Sequence, residues 1–485
     1  MTRTMECITD WMLRQRWYAG KGRVPQLVEV SRAEWACDEP GVSIRVLLLR
    51  DTANVPPSLY HVPIVVRPTI PRGAGRSLIG RDEHDDYLFD APFDPAYIPS
   101  LLRELGAPSV DSTGAPLEGR VHSGEQSNTS IIVNEHGGQP LMVKLFRLVQ
   151  AGENPDVVLQ AALSAAGSRA VPRVAGALRA TWSDPLDPRA AADGHAAEPR
   201  TGHLAVAQEF VRDARDGWAI ALESARDGTS FAADARALGA LLAEVHATLA
   251  QHLPSREPSL GDVVGAIAGW HQRLAIATAD APELRALRPS IDAVYDAAHD
   301  EPWPALQRIH GDAHLGQALR RPDGGWVLVD FEGEPLRPLE DRTRLDSPVR
   351  DVAGVVRSFD YARGTVLAEH VGAAARRDGA GDSVTSVTPD GDVRTHDARP
   401  VRAEALSETA QRLDDWAREA REAFLEGYSE GSGLDLRSHR ALLDAFELDK
   451  AVYEAMYEAR NRPTWLPIPL AAVERLVAPA NAHQR

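Results

Sequence analysis

The sequence predicts an α+β protein of two lobes, a strand-rich one followed by a helix-rich one, preceded by an extra N-terminal α+β cap. Three observations point there. Residues 11–107 hold their own strand-like runs, residues 120–210 alternate short apolar runs with turn signals, and after Phe231 apolar residues recur at three- and four-residue steps. The expected domains are therefore a cap at 1–107, a strand-rich lobe at 120–212 and a mainly helical lobe at 213–485.

In the cap, "VSIRVLLLRD" and "LYHVPIVVRP" read as strands, and "DEHDDYLFDAPFDPAYIPSLLREL" leads into a short helix. Trp11 and Trp17 are assigned to packing, the commonest use of large aromatics. Residues 106–119, "GAPSVDSTGAPLEG", are rich in Gly, Pro and Ser and read as a linker. Apolar runs on either side of "NEHGGQ" predict a hairpin, and "LAVAQEFV" a buried strand. The helices follow in "FAADARALGALLAEVHATLAQHL", "AQRLDDWAREAREAFLEGYSEG" and "RALLDAFELDKAVYEAMYEARNRP". A helix is also expected to start after Ser347 and Pro348, with Asp351 bracing a nearby loop through Arg350 or Arg357. Residues 183–201 and 377–400 lack the apolar content that offsets ordering entropy, so they are expected to be flexible and to carry no chemistry.

Lys plus Arg number 53 against 70 Asp plus Glu, a formal charge of −17 that opposes an electrostatic grip on nucleic acid or a membrane surface. A polyphosphate must then be held by a few local cations. Cys7 and Cys37 are too few for a disulfide scaffold or a zinc cluster. With no signal peptide and no run of about 18 apolar residues, a cytoplasmic protein is expected.

The chemistry concentrates in "IHGDAHLGQALRRPDGGWVLVDFEGEP", residues 309–335. A polar loop precedes a turn, the apolar strand "WVLV" follows, and acids sit where that strand ends. Asp312 stands five residues before Gln317 and eighteen before Asp330. Phosphoryl transfer needs a carboxylate to orient and deprotonate an acceptor hydroxyl, and oxygen ligands for magnesium on the nucleotide phosphates. Asp312 suits the first task, and Gln317 and Asp330 suit the second. His310, beside an apolar strand, is expected to fix the loop by hydrogen bonding rather than to act in catalysis.

The spacing from Asp312 through Gln317 to Asp330-Phe331 resembles the catalytic and metal-binding loops of protein-kinase-like enzymes. Within them the chain is similar to the aminoglycoside-phosphotransferase-like branch and its actinobacterial maltokinases. The similarity extends to "QRWYAGKGR", "GEQSNTS…VKLF…GENPD", "QEFV…DGW", "DSPVRDVAGVVRSFDYA" and "YEAMYEARNRPTWLPIPL". The resemblance implies a two-lobed protein-kinase-like fold that uses ATP and Mg2+ to phosphorylate the anomeric hydroxyl of maltose, giving maltose 1-phosphate for α-glucan (glycogen) synthesis. It implies Lys144 on the α- and β-phosphates, the loop of residues 123–130 (Ser123, Gln126, Ser127, Asn128 and Thr129) over the phosphates, and Gln208, Glu209 and Val211 at the adenine hinge. Asp312 becomes the base, Gln317 and Asp330 the metal ligands, and Glu332 a further ligand or substrate contact. For the cap it implies restraint of lobe motion or a partner such as trehalose synthase. A monomer or a dimer is expected.

Two departures stand out. Gln317 replaces the asparagine of most kinase-like loops, and Val158 stands where a glutamate is expected to pair with Lys144, leaving Glu153 as the nearest acid. Val158 is the one feature that favours a degenerate kinase fold serving as a binding module.

For the acceptor, His314 lies two residues from Asp312, and helical spacing lines up Glu454, Tyr457, Glu458 and Arg460. An aromatic face with planar polar partners suits a sugar; the same stripe suits helix packing with ion pairs equally well. Glucosamine or an aminoglycoside is the alternative acceptor, although an ammonium group calls for paired carboxylates and Arg460 and Arg462 favour a neutral sugar.

Overall fold

Helix α1 (Arg3–Met12) opens the chain, and its Ile8, Trp11 and Met12 bury against one face of a sheet ordered β1-β2-β3-β5-β4. These strands are β1 (Leu27–Trp35), β2 (Ser43–Asp51), β3 (Ser58–Arg67), β4 (Leu78–Arg81) and β5 (Tyr87–Asp90). Strand β2 shows why its sequence is continuously apolar: Leu47 and Leu49 face α1, while Ile44, Val46 and Leu48 face the other side. On that other side lie α2 (Tyr97–Glu104) and residues of a second antiparallel sheet.

The computed structural model describes residues 2–71, 73–111, 113–122, 128–134, 139–184, 198–334, 338–378, 383–387, 393–397 and 399–478. They form two units: Met1–Ala165, Pro172–Arg212 and Pro338–Thr343 make the first, and Ala166–Val171, Asp213–Arg337 and Arg344–Arg485 the second. Among the described residues no helix is long and apolar enough to cross a membrane.

The second sheet of the first unit runs β10-β11-β8-β7-β6, all neighbours antiparallel. Its strands are β6 (Glu118–Val121), β7 (Asn128–Asn134), β8 (Leu141–Phe146), β10 (Val174–Ser183) and β11 (Pro199–Glu209). Strand β9 (Leu148–Val149) instead joins β3 of the first sheet, and α3 (Pro155–Ala165) follows it. Ile131, Val143, Leu145, Ala205 and Ala207 share one hydrophobic core with Val46, Leu48, Phe89, Leu101 and Leu102. The first two expected domains are thus joined by a common core. The stretch expected to be a linker is folded: Val110 bridges Pro116, Asp111 accepts from the Thr113 and Ala115 N–H groups at 2.8 and 3.0 Å, and Leu117 is buried in the shared core. Its Gly, Pro and Ser content serves a tight turn.

The second unit is mainly helical. Strand β12 (Arg215–Asp216) and α4 (Gly217–Asp227) lead into α5 (Ala232–His252), then β13 (Ser255–Arg256), α6 (Leu260–Asp280), α7 (Leu284–Ala297) and β14 (Leu306–Gln307). Strands β15 (Ala318–Arg320) and β16 (Trp326–Leu328) form a hairpin that joins β12. After it come α8 (Val349–Asp378), β17 (Ser383–Val387), β18 (Val393–Asp397), α9 (Arg399–Ser432), α10 (Arg440–Asn461) and α11 (Pro467–Val477). Trp270 of α6 contacts Tyr295, Trp303 and Phe446 with ring centroids 5.0–5.8 Å apart, which anchors α10. Both segments expected to be flexible contain paired strands: β10 continues to Ser183 and β11 starts at Pro199, while β17 and β18 make an antiparallel pair. Residues 185–197, 379–382, 388–392 and 398 of these segments lie outside the described residues.

Candidate active site

Two loops of the second unit meet backbone to backbone. Gly311 has φ of +82°, and a Cβ there would lie 3.1 Å from the Gly333 Cα, so the loop before β15 turns tightly over the loop after β16. His310 fastens them: its Nε2–H donates to the Val329 carbonyl at 2.9 Å, its Nδ1 accepts from the Asp312 N–H at 3.4 Å, and its ring lies 4.4 Å from that of Phe331. The Val329 N–H donates to the Gln317 carbonyl at 2.9 Å, which brings Gln317 beside Asp330. Asp330 has φ of +61°, a left-handed conformation that is costly for a residue with a Cβ and typical of functional turns.

Beneath the loops, Asp351 in the first turn of α8 accepts from the His310 and Gly311 N–H groups, both at 2.8 Å, and from His246 Nε2 at 3.0 Å. His246 Nδ1 in turn accepts from the Tyr428 hydroxyl at 2.9 Å. Burial alone raises the proton affinity of Asp351, but His246 and the loop N–H groups outweigh it and hold the carboxyl below its usual range. Asp351 braces the loop, though not through the arginines expected: Arg350 pairs with Asp346 at 2.6 Å and Arg357 with Glu454 at 2.7 Å. Those arginines leave α8 in other directions, whereas His246 crosses from α5.

Asp312 receives a cation that the sequence reading missed. Lys450 of α10 places Nζ 3.1 Å from Asp312 Oδ1 and 2.9 Å from Oε1 of buried Glu334. Burial opposes the Lys450 charge, yet Glu334 and then Asp312 raise its proton affinity well above that of an ordinary lysine. Glu334 closes the motif yet had no role assigned. One signal was available: among 53 basic residues the chain has lysine only at Lys21, Lys144 and Lys450.

His314 caps the short turn Leu315–Gln317, its Nδ1 accepting from the Gly316 N–H at 3.0 Å. Burial lowers its proton affinity, so it stands neutral with Nε2–H as its remaining donor. Gln317 and Asp330 offer one amide and one carboxylate, with Glu332 two residues on. Among the described residues no group of three or more His, Cys, Asp or Glu is arranged to hold a metal. Such a sparse oxygen set suits magnesium, which keeps waters and phosphate oxygens as its other ligands, rather than a metal caged by protein alone.

The substrate candidates on α10 are strongly engaged. Glu454 is held by Arg357, and Glu458 is buried with Arg462 at 2.6 Å and the Tyr361 hydroxyl at 3.2 Å. Tyr457 is exposed beneath the Arg462 guanidinium, 5.6 Å from its ring centroid. Arg460 turns to Asp280 at 2.7 Å and stands ten residues, about 15 Å of helix, beyond Lys450. Glu454, Glu458 and Arg460 are thus each held in an ion pair.

In the first unit, Lys144 sits on β8 in register with Ser130 and Val206. Its Nζ lies 3.0 Å from Oδ2 of Asp156, and both side chains are buried. Gln160 Nε2 holds the other carboxylate oxygen at 2.6 Å, and the Asn154 side chain accepts from the Asp156 N–H at 3.0 Å. The expected substitute, Glu153, lies before α3, whereas Asp156 falls in its first turn and reaches the lysine. Val158 thus loses its significance as a sign of degeneracy.

Thr129 is buried, and its Oγ1 accepts from Arg147 Nε at 2.8 Å. Asn128 opens strand β7, while Ser123, Gln126 and Ser127 lie outside the described residues. At the hinge the Glu209 N–H donates to Arg173 O and the Phe210 N–H to Pro140 O, each at 2.8 Å. The Val211 N–H makes no hydrogen bond among the described residues, which suits it to a ligand. Gln208 keeps a buried side-chain oxygen, Oε1, with no hydrogen-bond partner among the described residues.

Residues 11–94 match the maltokinase N-terminal cap domain, and residues 118–384 match the phosphotransferase enzyme family. A glucosamine kinase of Mycolicibacterium smegmatis is 28% identical over 370 residues, covering 73% of this chain and 78% of the relative. Another, of Streptacidiphilus jiangxiensis, is 30% identical over 368 residues, covering 71% and 70%. The solved structure of a glucosamine kinase in complex with glucosamine, ADP and inorganic phosphate has a TM-score of 0.63 at 21% identity, covering 98% of this chain and 99% of that one. At that identity the likeness is one of fold.

Proposed function

Because the chain belongs to the phosphotransferase enzyme family and carries a maltokinase N-terminal cap domain, we propose that it transfers the γ-phosphoryl group of ATP to the anomeric hydroxyl of maltose. Maltose 1-phosphate, a precursor for α-glucan synthesis, is then the product. The observation that supports the chemistry is the pair of loops carrying Asp312, Gln317 and Asp330, joined through His310 and Val329 and braced by Asp351.

Asp312 accepts the proton of the attacking hydroxyl as its oxygen bonds to the γ-phosphorus and ADP leaves. Lys144, held by Asp156, contacts the α- and β-phosphates, and the Val211 N–H donates to adenine. Gln317 and Asp330, with Glu332, would hold magnesium, which supplies charge neutralisation on the phosphates. Such a transfer is driven by positioning and electrostatics. His314 offers Nε2–H to a sugar hydroxyl, and Tyr457 an aromatic face.

An aminosugar acceptor is the second reading, favoured by the two glucosamine kinase relatives. Maltose, glucosamine and kanamycin should be offered separately with Mg-ATP and ADP release followed. Turnover of maltose above the others supports the first reading; preference for glucosamine replaces it. Asp312→Asn should abolish turnover while leaving ATP affinity within about twofold, since the base is used only in the transition state.

A further inference from the structure

We propose that Lys450 is the acceptor-specificity residue, an internal ammonium that fills the acidic corner beside Asp312 and so admits neutral sugars and turns away protonated amines. The inference rests on the reading of Asp312 as the base.

The corner holds two carboxylates. Lys450 lies within hydrogen-bond distance of both, at 3.1 Å from Asp312 and 2.9 Å from Glu334. Its stem packs along α10, with Nζ 5.3 Å from the centroid of the Tyr453 ring. The acids of that helix have protein cations of their own: Asp444 meets Arg440 at 2.7 Å, Glu447 meets Arg421 at 2.6 Å, Asp449 meets Arg273 at 3.0 Å, Glu454 meets Arg357 and Glu458 meets Arg462. An incoming ammonium carries donors and no acceptor, so it needs a carboxylate. Here it meets a like charge already seated between the acids, and like charges at such separations repel most strongly where water is scarce. A sugar hydroxyl differs because its oxygen accepts a hydrogen bond from Nζ.

The choice of lysine supports the assignment. Three of 53 basic residues are lysine, so arginine is the chain's ordinary cation. The Lys450 ammonium brings to that corner the same charge and donors as a ligand ammonium.

The test is calorimetric, with a non-hydrolysable ATP analogue and Mg2+ present so that binding is read apart from turnover. Glucose, glucosamine and N-acetylglucosamine are titrated into the wild type, Lys450→Met and Lys450→Arg. The wild type should bind glucosamine at least tenfold more weakly than glucose. Lys450→Met should bind glucosamine at least tenfold more tightly than the wild type does, with no gain for neutral N-acetylglucosamine, and Lys450→Arg should keep the wild-type order. Equal binding of glucose and glucosamine by the wild type overturns the proposal without any variant. So does a folded Lys450→Met protein with no gain for glucosamine. Failure of the maltose reading is separable: it shows as no phosphate transfer to maltose, whatever Lys450 does to the glucose and glucosamine affinities.

Discussion

At the scale of residues, the lysine pair is the most specific finding. Asp156 is held on one oxygen by Gln160 and presents the other to Lys144, so its charge and its direction are both fixed. Asp156→Asn keeps the volume and removes the charge. Its KM for ATP should rise about tenfold or more, from the roughly 1.5–3 kcal/mol of a charge-assisted hydrogen bond. Glu153→Gln should leave it unchanged. Steady-state kinetics on the two variants checks the assignment, and the opposite ranking restores Glu153. That the loops carrying Asp312, Gln317 and Asp330 meet was legible in the sequence, because they lie within one short stretch, where spacing stands in for distance. Lys450 was not, since it reaches Asp312 across 138 residues of chain. Only folding of α10 onto the loops creates that contact.

At the scale of elements, α8 serves as the foundation of the loop that carries Asp312. Gly354, one turn after Asp351, lies so close to the Ala313 carbonyl that a Cβ would clash with it, so helix and loop pack without an intervening side chain. The start of α8 after Pro348 and the period of α10 could be read from sequence, as local chemistry sets caps and helix faces. Partners across elements could not: Asp351 sits beside two arginines in sequence but folds against His246, 105 residues away. The sign of its contribution follows from its depressed proton affinity. A carboxylate lowered in the folded state stabilises fully above its unfolded pKa, near 3.9, and loses that contribution as pH falls through the folded value. Asp351→Asn should cost about 1–3 kcal/mol at neutral pH, as expected for a disrupted buried hydrogen-bond network. Urea unfolding at several pH values should show the gap from wild type constant down to about pH 4 and closing below it. A gap that widens in acid would contradict the brace.

At the scale of the whole molecule, the cap and the strand-rich lobe share more than chain connectivity. Strand β9 extends the cap sheet, the two sheets share one apolar core, and Arg147 joins them through an ion pair. Its guanidinium lies fully buried 2.9 Å from Asp90 of the cap, donates to Thr129 of the lobe and rests 4.9 Å from the Trp17 ring centroid. The composition of residues 106–119 suggested a divisible boundary because turn residues look alike in a linker and in a packed turn. Burial of Leu117 distinguishes the two. Removing residues 1–107 should therefore expose Ile131, Val143, Leu145 and Ala205 and strand the Arg147 charge, and the shortened chain should aggregate or lose cooperative melting. Asp90→Ala is the milder test. Leaving Arg147 buried without Asp90 should cost about 3–5 kcal/mol, and the cap and the strand-rich lobe should still lose hydrogen-exchange protection together. A chain of residues 108–485 that melts cooperatively and turns over sugar at the wild-type rate would make the cap a dispensable attachment, because a shared core cannot lose one of its walls and keep its stability.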